Sequence, residues 1–304
     1  MKGSVKWQVT EIFKEIKEIG NSKYAAKNLA RQTGAHGSNG IAKETGIYSY
    51  RTADSYRESA IKFGSWAKEN AGLKDLTKTN AETVKSYLQS RIDENIAHKT
   101  FQLEKSALNK LETALNRYSE HHNLNKTYDF KLNENFNRQV QKDMRHADVR
   151  AYSKADVEKL MNIKDETINL AIMLAAGAGL RKAEILKLSI NNLKYNKIEV
   201  LGAKGGKDRI VGNIFDKSLI ADIKTFLSEN NLNKFGDAVS AGKINREISN
   251  VISSGSIHKL RHNYAINSVK EFENKGYSHV EAVHLTSVEM GHNRNEIIEG
   301  VYSK

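Results

Sequence analysis

The sequence predicts a mainly α-helical protein of two domains, with one small β-hairpin in the second domain. Its length of 304 residues fits two domains of ordinary size. In the first half, apolar residues recur at the spacing of one helix face, as at Tyr56, Ala60, Phe63 and Ala67. The apolar spacing changes to strict alternation at one place, residues 197–200, and this pattern is typical of a strand.

The first domain is expected to consist of four or five packed helices over residues 1–145. The apolar pattern within residues 7–19 predicts one of these helices, and the pattern within residues 101–115 predicts another. Between them, Thr79 and Glu82 have the spacing of a capping box, in which each side chain binds a free N–H group at a helix start. No alternating pattern interrupts this half, so the domain is predicted to be helical throughout.

The second domain is expected to be mixed α/β but mainly helical, and to occupy residues 153–304. The polar residues 146–152 lack periodicity and are predicted to form the linker. Ser153 begins a new helical pattern with a further capping sequence. A hairpin is predicted from the strand at residues 197–200, a glycine-rich turn and a return strand at Arg209–Val211.

The composition points to a polyanionic partner. The chain has 48 Lys and Arg against 36 Asp and Glu, a net charge of +12, and the excess is shared by both halves. The absence of cysteine excludes disulfides, thiolate metal sites and cysteine nucleophiles. No apolar run has the length of a signal peptide or a membrane span, so a cytoplasmic protein with no membrane partner is expected.

Two glycine-containing segments of the second domain carry polar side chains that are candidates for function. Gly-Leu-Arg-Lys-Ala-Glu places Arg181 in the first turn of a helix, with Glu184 three residues later. The next segment, residues 202–209, resembles a phosphate-binding loop. However, the spacing between its first glycine and the Gly-Lys pair is one residue short, and Asp208 replaces the required Ser or Thr. What remains is a hairpin tip with Lys204 and Lys207, which could enter a DNA groove or form a solvated turn.

A third segment contains two histidines and an arginine on one helix. His258 and Arg261 are three residues apart and therefore face the same way. His258 and His262 have the i, i+4 spacing of a zinc pair, but Lys259 stands where the metal-dependent hydrolases have Glu. Because cations beside a dication are unfavourable, no metal site is expected here.

Two more short segments, Gly-His at His292 and Gly-Val-Tyr at Tyr302, are unremarkable singly. In chain order, however, the motifs Gly-Leu-Arg-x-x-Glu, Lys-Gly-x-Lys-x-Arg, His-x-Leu-Arg-His and Gly-His with a late Tyr resemble those of the tyrosine recombinases, the phage-integrase and Xer-type family. The resemblance covers the whole second domain, which would be the catalytic domain. The first domain fits more loosely the helical, DNA-binding core-binding domain of that family.

The resemblance implies a catalytic set and an ordered chemistry. The implied catalytic residues are Arg181, Lys204, His258, Arg261, His292 and Tyr302. Tyr302 would attack the phosphate and form a 3′-phosphotyrosyl bond, with Lys204 as the acid for the leaving 5′ oxygen. His258 would accept a proton and His292 would donate a hydrogen bond to the phosphate. Two arginines can stabilise the charge that develops on a phosphodiester, so no metal or other cofactor is implied.

The remaining expectations concern supporting residues and partners. Glu184 and His262 are expected to support the site, and Lys207 and Arg209 to contact DNA. The expected partner is double-stranded DNA with a specific recombination site, bound by a homotetramer on paired sites. Two alternatives stay open: a type IB DNA topoisomerase, which shares the catalytic set, and a DNA-binding accessory protein derived from a recombinase.

Overall fold

The computed structural model of the chain describes residues 1–144, 151–202, 208–253, 255–292 and 295–302, without the side chains of residues 141–143, 301 and 302. The chain divides into two units, Met1–Ala147 and Asp148–Lys304. The division lies within residues 146–152, the segment that the sequence assigns to the linker. The described secondary structure is mostly helical with one two-stranded antiparallel sheet, so the predicted fold class is confirmed.

Within residues 1–144, seven α-helices form the first unit. They are α1 (Val5–Lys14), α2 (Lys23–Gln32), α3 (Gly37–Glu44), α4 (Tyr50–Asn70), α5 (Ala81–Asp93), α6 (His98–His121) and α7 (Glu134–Asp143). Ser and Asn side chains begin most of these helices by accepting a hydrogen bond from a backbone N–H of the first turn. The capping residue predicted for α5 was wrong: Asn80 caps the helix, and Thr79 ends the preceding 3₁₀ turn.

The core of the first unit lies between α1, α4, α5 and α6. Phe63, Tyr87 and Phe101 are fully buried there, and the ring of Phe63 meets that of Tyr87 edge to face at 5.4 Å. The helices α2 and α3 exceed the four or five expected from the sequence. They lie between Lys17 and Ile47, which pair as an isolated parallel bridge. Helix α3 has no buried residue, so it contributes no side chain to this core.

A buried ionic network joins α5 to α6 in this unit. Arg91 donates to both carboxylate oxygens of Glu104, at 2.8 and 3.1 Å, and the Tyr87 hydroxyl donates to the same carboxylate at 2.9 Å. Burial raises the pKa of Glu104, but the hydrogen bonds from Arg91 and Tyr87 outweigh it and lower the pKa below its ordinary value. Glu104 is therefore ionised and fixes the packing of α5 on α6.

The second unit is built around an apolar helix. Its helices are α8 (Lys154–Met161), α9 (Glu166–Gly177), α10 (Lys182–Ile185), α11 (Leu219–Glu229), α12 (Ala241–Val251), α13 (Ile257–Asn274), α14 (His279–Glu289) and α15 (Asn295–Ile297). Helix α9 is buried on several faces, through Ile168, Ala171, Ile172 and Ala175, and it packs against α13. Such all-round burial is expected of a central helix.

The predicted hairpin is present beside these helices. Strands β1 (Ile198–Val200) and β2 (Arg209–Val211) are antiparallel, with Ile198 opposite Val211. The tip of the hairpin, residues 203–207, lies outside the described residues.

A small second core holds the end of the chain against α13 and α14. Tyr264, Val283, Met290 and Ile298 are buried together in it. Ile298 begins the π-helical turn Ile298–Tyr302 that follows α15. The backbone of Tyr302 is thus placed by a turn that packs on the same two helices as the residues around His292.

Candidate active site

Three arginines from three different elements meet at the C-terminal end of α14. Arg181, which begins α10, donates from Nη2 to the carbonyl oxygen of Met290 at 3.1 Å. Arg261, on α13, donates to the same oxygen. Arg209, on β2, donates from Nε to the carbonyl oxygen of Glu289 at 2.6 Å. The last carbonyls of a helix lack intrahelical partners and carry partial negative charge, so they attract guanidinium groups.

The turn that ends α14 places His292 beside this cluster. Gly291 has a φ of +65°, a left-handed conformation that glycine adopts without strain. The N–H of Gly291 donates to Val288 and that of His292 donates to Ser287, which is the hydrogen-bond pattern of a Schellman motif. His292 Nε2 consequently lies 3.4 Å from Nη2 of Arg261. The Gly-His pair of the sequence motif is therefore a helix-ending turn that presents the imidazole.

Glu184 binds two of the arginines at once. Its Oε1 accepts from Nη1 of Arg181 and from Nη1 of Arg209, both at 2.8 Å. Its Oε2 accepts from the backbone N–H of Arg181 and from Nη2 of Arg209, both at 2.7 Å. Burial raises the pKa of Glu184, but the hydrogen bonds and charge of Arg209, followed by the hydrogen bonds from Arg181, lower it to about 2. Glu184 is therefore a carboxylate throughout the neutral range.

Arg261 also binds the loop that precedes α10. Its Nη1 donates to the carbonyl oxygen of Gly179, and its side chain is fully buried. His258 is exposed at the start of α13, one turn before Arg261. His262 is buried behind it, and its ring meets that of His258 edge to face at a centroid distance of 5.5 Å. The two histidines thus differ in what they can reach: His258 faces solvent, and His262 packs within the unit.

Sequence reasoning missed the role of Glu289 and Tyr264. The Tyr264 hydroxyl lies 2.9 Å from Oε2 of Glu289 and 2.9 Å from the carbonyl oxygen of Asn213, and its one proton can be donated to either oxygen. Glu289 also accepts from the backbone N–H groups of Gly212 and Asn213, just after β2. Burial raises the pKa of Glu289 above its ordinary value. This pair ties β2 to α14, and no spacing in the sequence signals a contact between segments so far apart.

The structure brings part of the predicted set together. Arg181, Arg261, His292 and the supporting Glu184 are adjacent. Lys204 and Lys207 lie outside the described residues, as does the side chain of Tyr302. Among the described residues, no group of three or more His, Cys, Asp or Glu side chains has the arrangement of a metal site.

Arg209 is the residue whose position departs most from expectation. The sequence analysis assigns it to a DNA contact, but its side chain is 5% exposed and forms an internal ion pair with Glu184. Arg181, on the same carboxylate, is 21% exposed. This burial does not favour a direct contact with DNA, and it places Arg209 within the candidate site.

Comparison with known proteins identifies relatives of this architecture. No model of a known protein family matches the chain. The tyrosine recombinase XerA of Pyrococcus horikoshii is 32% identical over 81 residues, which cover 26% of this chain and 28% of that relative. The matched stretch is thus less than a third of either protein.

Solved structures match over nearly the full length. The XerH site-specific recombinase bound to palindromic difH substrate has a TM-score of 0.62 at 16% identity, covering 100% of this chain and 94% of that one. A lambda integrase dimer bound to a core site has a TM-score of 0.57 at 16% identity, covering 88% and 92%. The Tn1549 transposon integrase in complex with transposon right end DNA has a TM-score of 0.55 at 14% identity, covering 92% and 93%.

The chain has the fold of the tyrosine recombinases. The resemblance to that family drawn from the sequence motifs is therefore confirmed, both by the fold and by the partial sequence match. No helix among the described residues is long and apolar enough to cross a membrane.

Proposed function

We propose that this protein is a site-specific DNA recombinase that cleaves and rejoins strands through a bond between Tyr302 and a 3′ phosphate. The observation that carries the proposal is the convergence of Arg181, Arg261 and His292 at the end of α14. Two guanidinium groups beside an imidazole suit a phosphodiester, whose non-bridging oxygens gain charge in the transition state. The fold adds support, because its solved relatives include recombinases bound to DNA.

In the proposed reaction, each bond that forms is matched by a bond that breaks, so no external co-reactant is needed. The Tyr302 oxygen attacks phosphorus, its proton passes to His258, and the bond from phosphorus to the 5′ oxygen breaks. Lys204 gives a proton to that leaving oxygen. Rejoining reverses these steps with the 5′ hydroxyl of a second strand, and the energy of the broken phosphodiester is conserved in the phosphotyrosyl bond. Arg181 and Arg261 hold the phosphate in both directions.

Both units contribute to DNA binding in this proposal, and a homotetramer would assemble on paired recombination sites. The net charge of +12 supports a partner with many phosphates. The protein would accordingly act on the nucleoid in the cytoplasm. Affinity for duplex DNA is expected to fall steeply between about 50 and 200 mM salt, because bound counterions are released when phosphates are neutralised.

The central experiment traps the covalent intermediate. The probe is a duplex that the wild-type protein selects from a random-sequence pool, and the readout is protein-linked DNA after denaturation. Tyr302→Phe should bind this duplex as the wild type does and form no covalent complex. Tyr277→Phe is the matched control, since Tyr277 is a half-exposed tyrosine of the same unit, and it should trap DNA normally. Covalent complex with Tyr302→Phe would refute the assignment.

Other outcomes separate the alternatives. A type IB topoisomerase would relax a supercoiled plasmid that lacks the selected sequence, as a monomer. An accessory protein would bind the duplex and leave no protein-linked DNA even with the wild-type chain. Cleavage is expected to persist in chelator, because the arginines provide the positive charge that a metal would otherwise supply. Restoration by Mg²⁺ of cleavage lost in chelator would count against this mechanism.

A further inference from the structure

We propose that Arg209 is a positioning residue for Arg181, acting through Glu184, and that it keeps the charge of Arg181 available for the phosphate. The inference rests on the proposed function, because it assigns Arg181 to the phosphate. Arg209 itself would touch no DNA. Its role would be to fix the orientation of one carboxylate and to satisfy that carboxylate's charge.

The first step of the argument is geometric. Arg209 presents its two Nη atoms to the two oxygens of Glu184, at 2.8 and 2.7 Å, as a parallel fork. A bidentate pair fixes the plane of the carboxylate as well as its distance. The same two oxygens accept from the side chain and the backbone N–H of Arg181. The direction in which the Arg181 guanidinium points is therefore set by a carboxylate that Arg209 holds.

The second step concerns charge. Arg181, Arg209 and Glu184 together carry a net charge of +1, whereas Arg181 and Glu184 alone would be neutral. A neutral pair attracts a phosphate weakly, because the carboxylate repels the anion that the guanidinium should bind. With Arg209 present, one positive charge of the cluster remains for the phosphodiester. The burial of Glu184, which is 8% exposed, makes this compensation more important than at the surface.

The third step links Arg209 to the rest of the site. Its Nε donates to the carbonyl oxygen of Glu289 at 2.6 Å. A Cβ atom on Gly291 would lie 3.0 Å from Cδ of Arg209, so the turn that presents His292 packs against the aliphatic stem of this arginine. Arg209 lies on β2, the strand that follows the segment containing Lys204 in the sequence. The Arg209 side chain thus contacts both Glu184, which binds Arg181, and the turn before His292.

The hydrogen-bond partners of Arg209 separate this role from a direct DNA contact. The side chain of Arg209 is 5% exposed, and all three of its nitrogen atoms already donate to acceptors within the unit. The side chain of Arg181 is 21% exposed, with Nη2 on a backbone carbonyl that an anionic phosphate can replace. A phosphate that approached Arg209 would have to displace a bidentate carboxylate.

The kinetic test is a double-mutant cycle on the duplex that the wild-type protein selects. Arg181→Ala and Arg209→Met should each lower the rate of covalent-complex formation at saturating protein by about 100-fold or more, the usual cost of removing a transition-state donor. Their combination should be no slower than Arg181→Ala alone, since both act through one group. The matched control is Arg246→Met, because Arg246 is 68% exposed in the same unit, and its rate should be unchanged.

A second substrate distinguishes positioning from general damage to the fold. Replacing one non-bridging oxygen of the scissile phosphate by a methyl group removes its charge, and with it much of the need for Arg181. The deficit of Arg209→Met should then shrink in the same proportion as that of Arg181→Ala. Equal deficits on both substrates, or independent effects of the two substitutions in the cycle, would overturn the proposal. Normal cleavage with weaker binding would also overturn it and make Arg209 a DNA contact.

Crystal structures of Arg209 variants test the proposal without an activity assay. In crystals of Arg209→Met, the Glu184 carboxylate should rotate and Nη2 of Arg181 should leave Met290, while the backbones of α10 and α14 stay in place. Arg209→Lys is the conservative variant, which keeps the charge but cannot form the fork, and it should show the same rotation if Arg209→Met fails to fold. An unmoved Arg181 would overturn the proposal. Absence of covalent complex with the wild-type protein would refute the proposed function, and these structures would still decide whether Arg209 holds Arg181.

Discussion

The backbone of Gly179 lies against the aromatic ring of Tyr264, so closely that a Cβ atom on Gly179 would be 2.3 Å from Cδ1 of that ring. Gly179 also has a φ of +61°. The carbonyl oxygen of Gly179 accepts a hydrogen bond from Arg261, which lies one turn before Tyr264 on α13. One glycine therefore sets the distance between the α9–α10 loop and α13, and with it the distance between the two arginines of the candidate site.

Gly179→Ala should destabilise the protein and slow DNA cleavage. The left-handed backbone costs an alanine about 1–2 kcal/mol, and the overlap with the Tyr264 ring adds an overpacking cost of about 1–3 kcal/mol. Gly276→Ala is the matched control: Gly276 also has a positive φ, +93°, but nothing lies within 4 Å of a Cβ atom there. Thermal unfolding measures both. Equal losses of stability would show that the Tyr264 contact does not matter.

Glu184→Gln should remove an acid-sensitive part of the stability. The pKa of Glu184 is about 2 in the folded protein, below the ordinary value of 4.5. A carboxyl group whose pKa is lowered on folding stabilises the protein above its unfolded pKa, and this stabilisation is lost as pH falls through the folded pKa. The wild type should therefore exceed Glu184→Gln in free energy of unfolding by about 3 kcal/mol at neutral pH, and the difference should shrink between pH 4.5 and 2.

Calorimetric unfolding across that pH range checks the prediction. The exposed Glu229 provides the control, since Glu229→Gln removes a carboxylate from the same unit without touching an arginine. A difference between the wild type and Glu184→Gln that stays constant down to pH 2 would contradict the lowered pKa. It would also weaken the argument that Glu184 is held as a carboxylate by Arg209 and Arg181.

Lys110 should give a second pH-dependent contribution to stability, in the first unit and in the alkaline range. Burial, together with the positive charges of Arg117 and Lys23, lowers the pKa of Lys110 from 10.5 to about 8. Its ammonium donates to the carbonyl oxygens of Ala42 and Thr45, around the end of α3. Between pH 8 and 10.5 the unfolded chain binds more protons than the folded one, so the free energy of unfolding rises with pH.

Compared with Lys110→Met, which cannot titrate, the wild type should gain up to about 3 kcal/mol as the pH rises from 8 to 10.5. Denaturant unfolding at several pH values measures this gain. Lys99 is an exposed lysine on the same helix, so the difference in stability between the wild type and Lys99→Met should not change with pH in this way. A wild type that loses stability relative to Lys110→Met over this interval would reverse the sign and refute the lowered pKa.

The candidate site was predictable where local geometry suffices. The placement of Arg181 at a helix start and of Arg261 on a helix followed from glycine breaks and i, i+3 spacing. The Gly-His pair before α15 required a helix-ending turn, and the Schellman hydrogen bonds account for it. The pairing of Arg209 with Glu184 was not predictable, because it joins residues 25 positions apart on a strand and a helix. Periodicity within one element contains no information about such a pair.

The same limit applies to the fold. The apolar stripes of α4 and α6 predicted the core of the first unit, since their buried faces follow the 3.6-residue period. Helix α2 buries only Ala30, and α3 buries nothing, so neither contributes an apolar face to the core of the unit. Both helices lie in the chain between Lys17 and Ile47, which form a bridge that no local sequence signal specifies.

The last prediction concerns which lysine of the hairpin tip is the general acid. Lys204 and Lys207 both lie outside the described residues, between β1 and β2, so the assignment rests on the motif Lys-Gly-x-Lys-x-Arg, whose first lysine is Lys204. The leaving 5′ alkoxide is strongly basic, and general acid catalysis is typically worth about 10²–10⁴-fold in rate. A substrate with sulfur at the 5′ bridging position needs no such proton, because a thiolate leaves unaided.

Lys204→Ala should therefore cleave normal DNA about 10²–10⁴-fold more slowly than the wild type, yet cleave the sulfur-substituted strand nearly as fast. Lys207→Ala is the matched variant from the same tip, and it should weaken binding without any selective rescue by sulfur. Arg209 anchors the return strand to Glu184, so Arg209→Met should also show no selective sulfur rescue if its role is confined to Arg181.

Rescue of Lys207→Ala instead would move the acid to Lys207. Rescue of neither lysine variant would leave the hairpin as a DNA contact, and the proton for the 5′ oxygen would then have to come from another group.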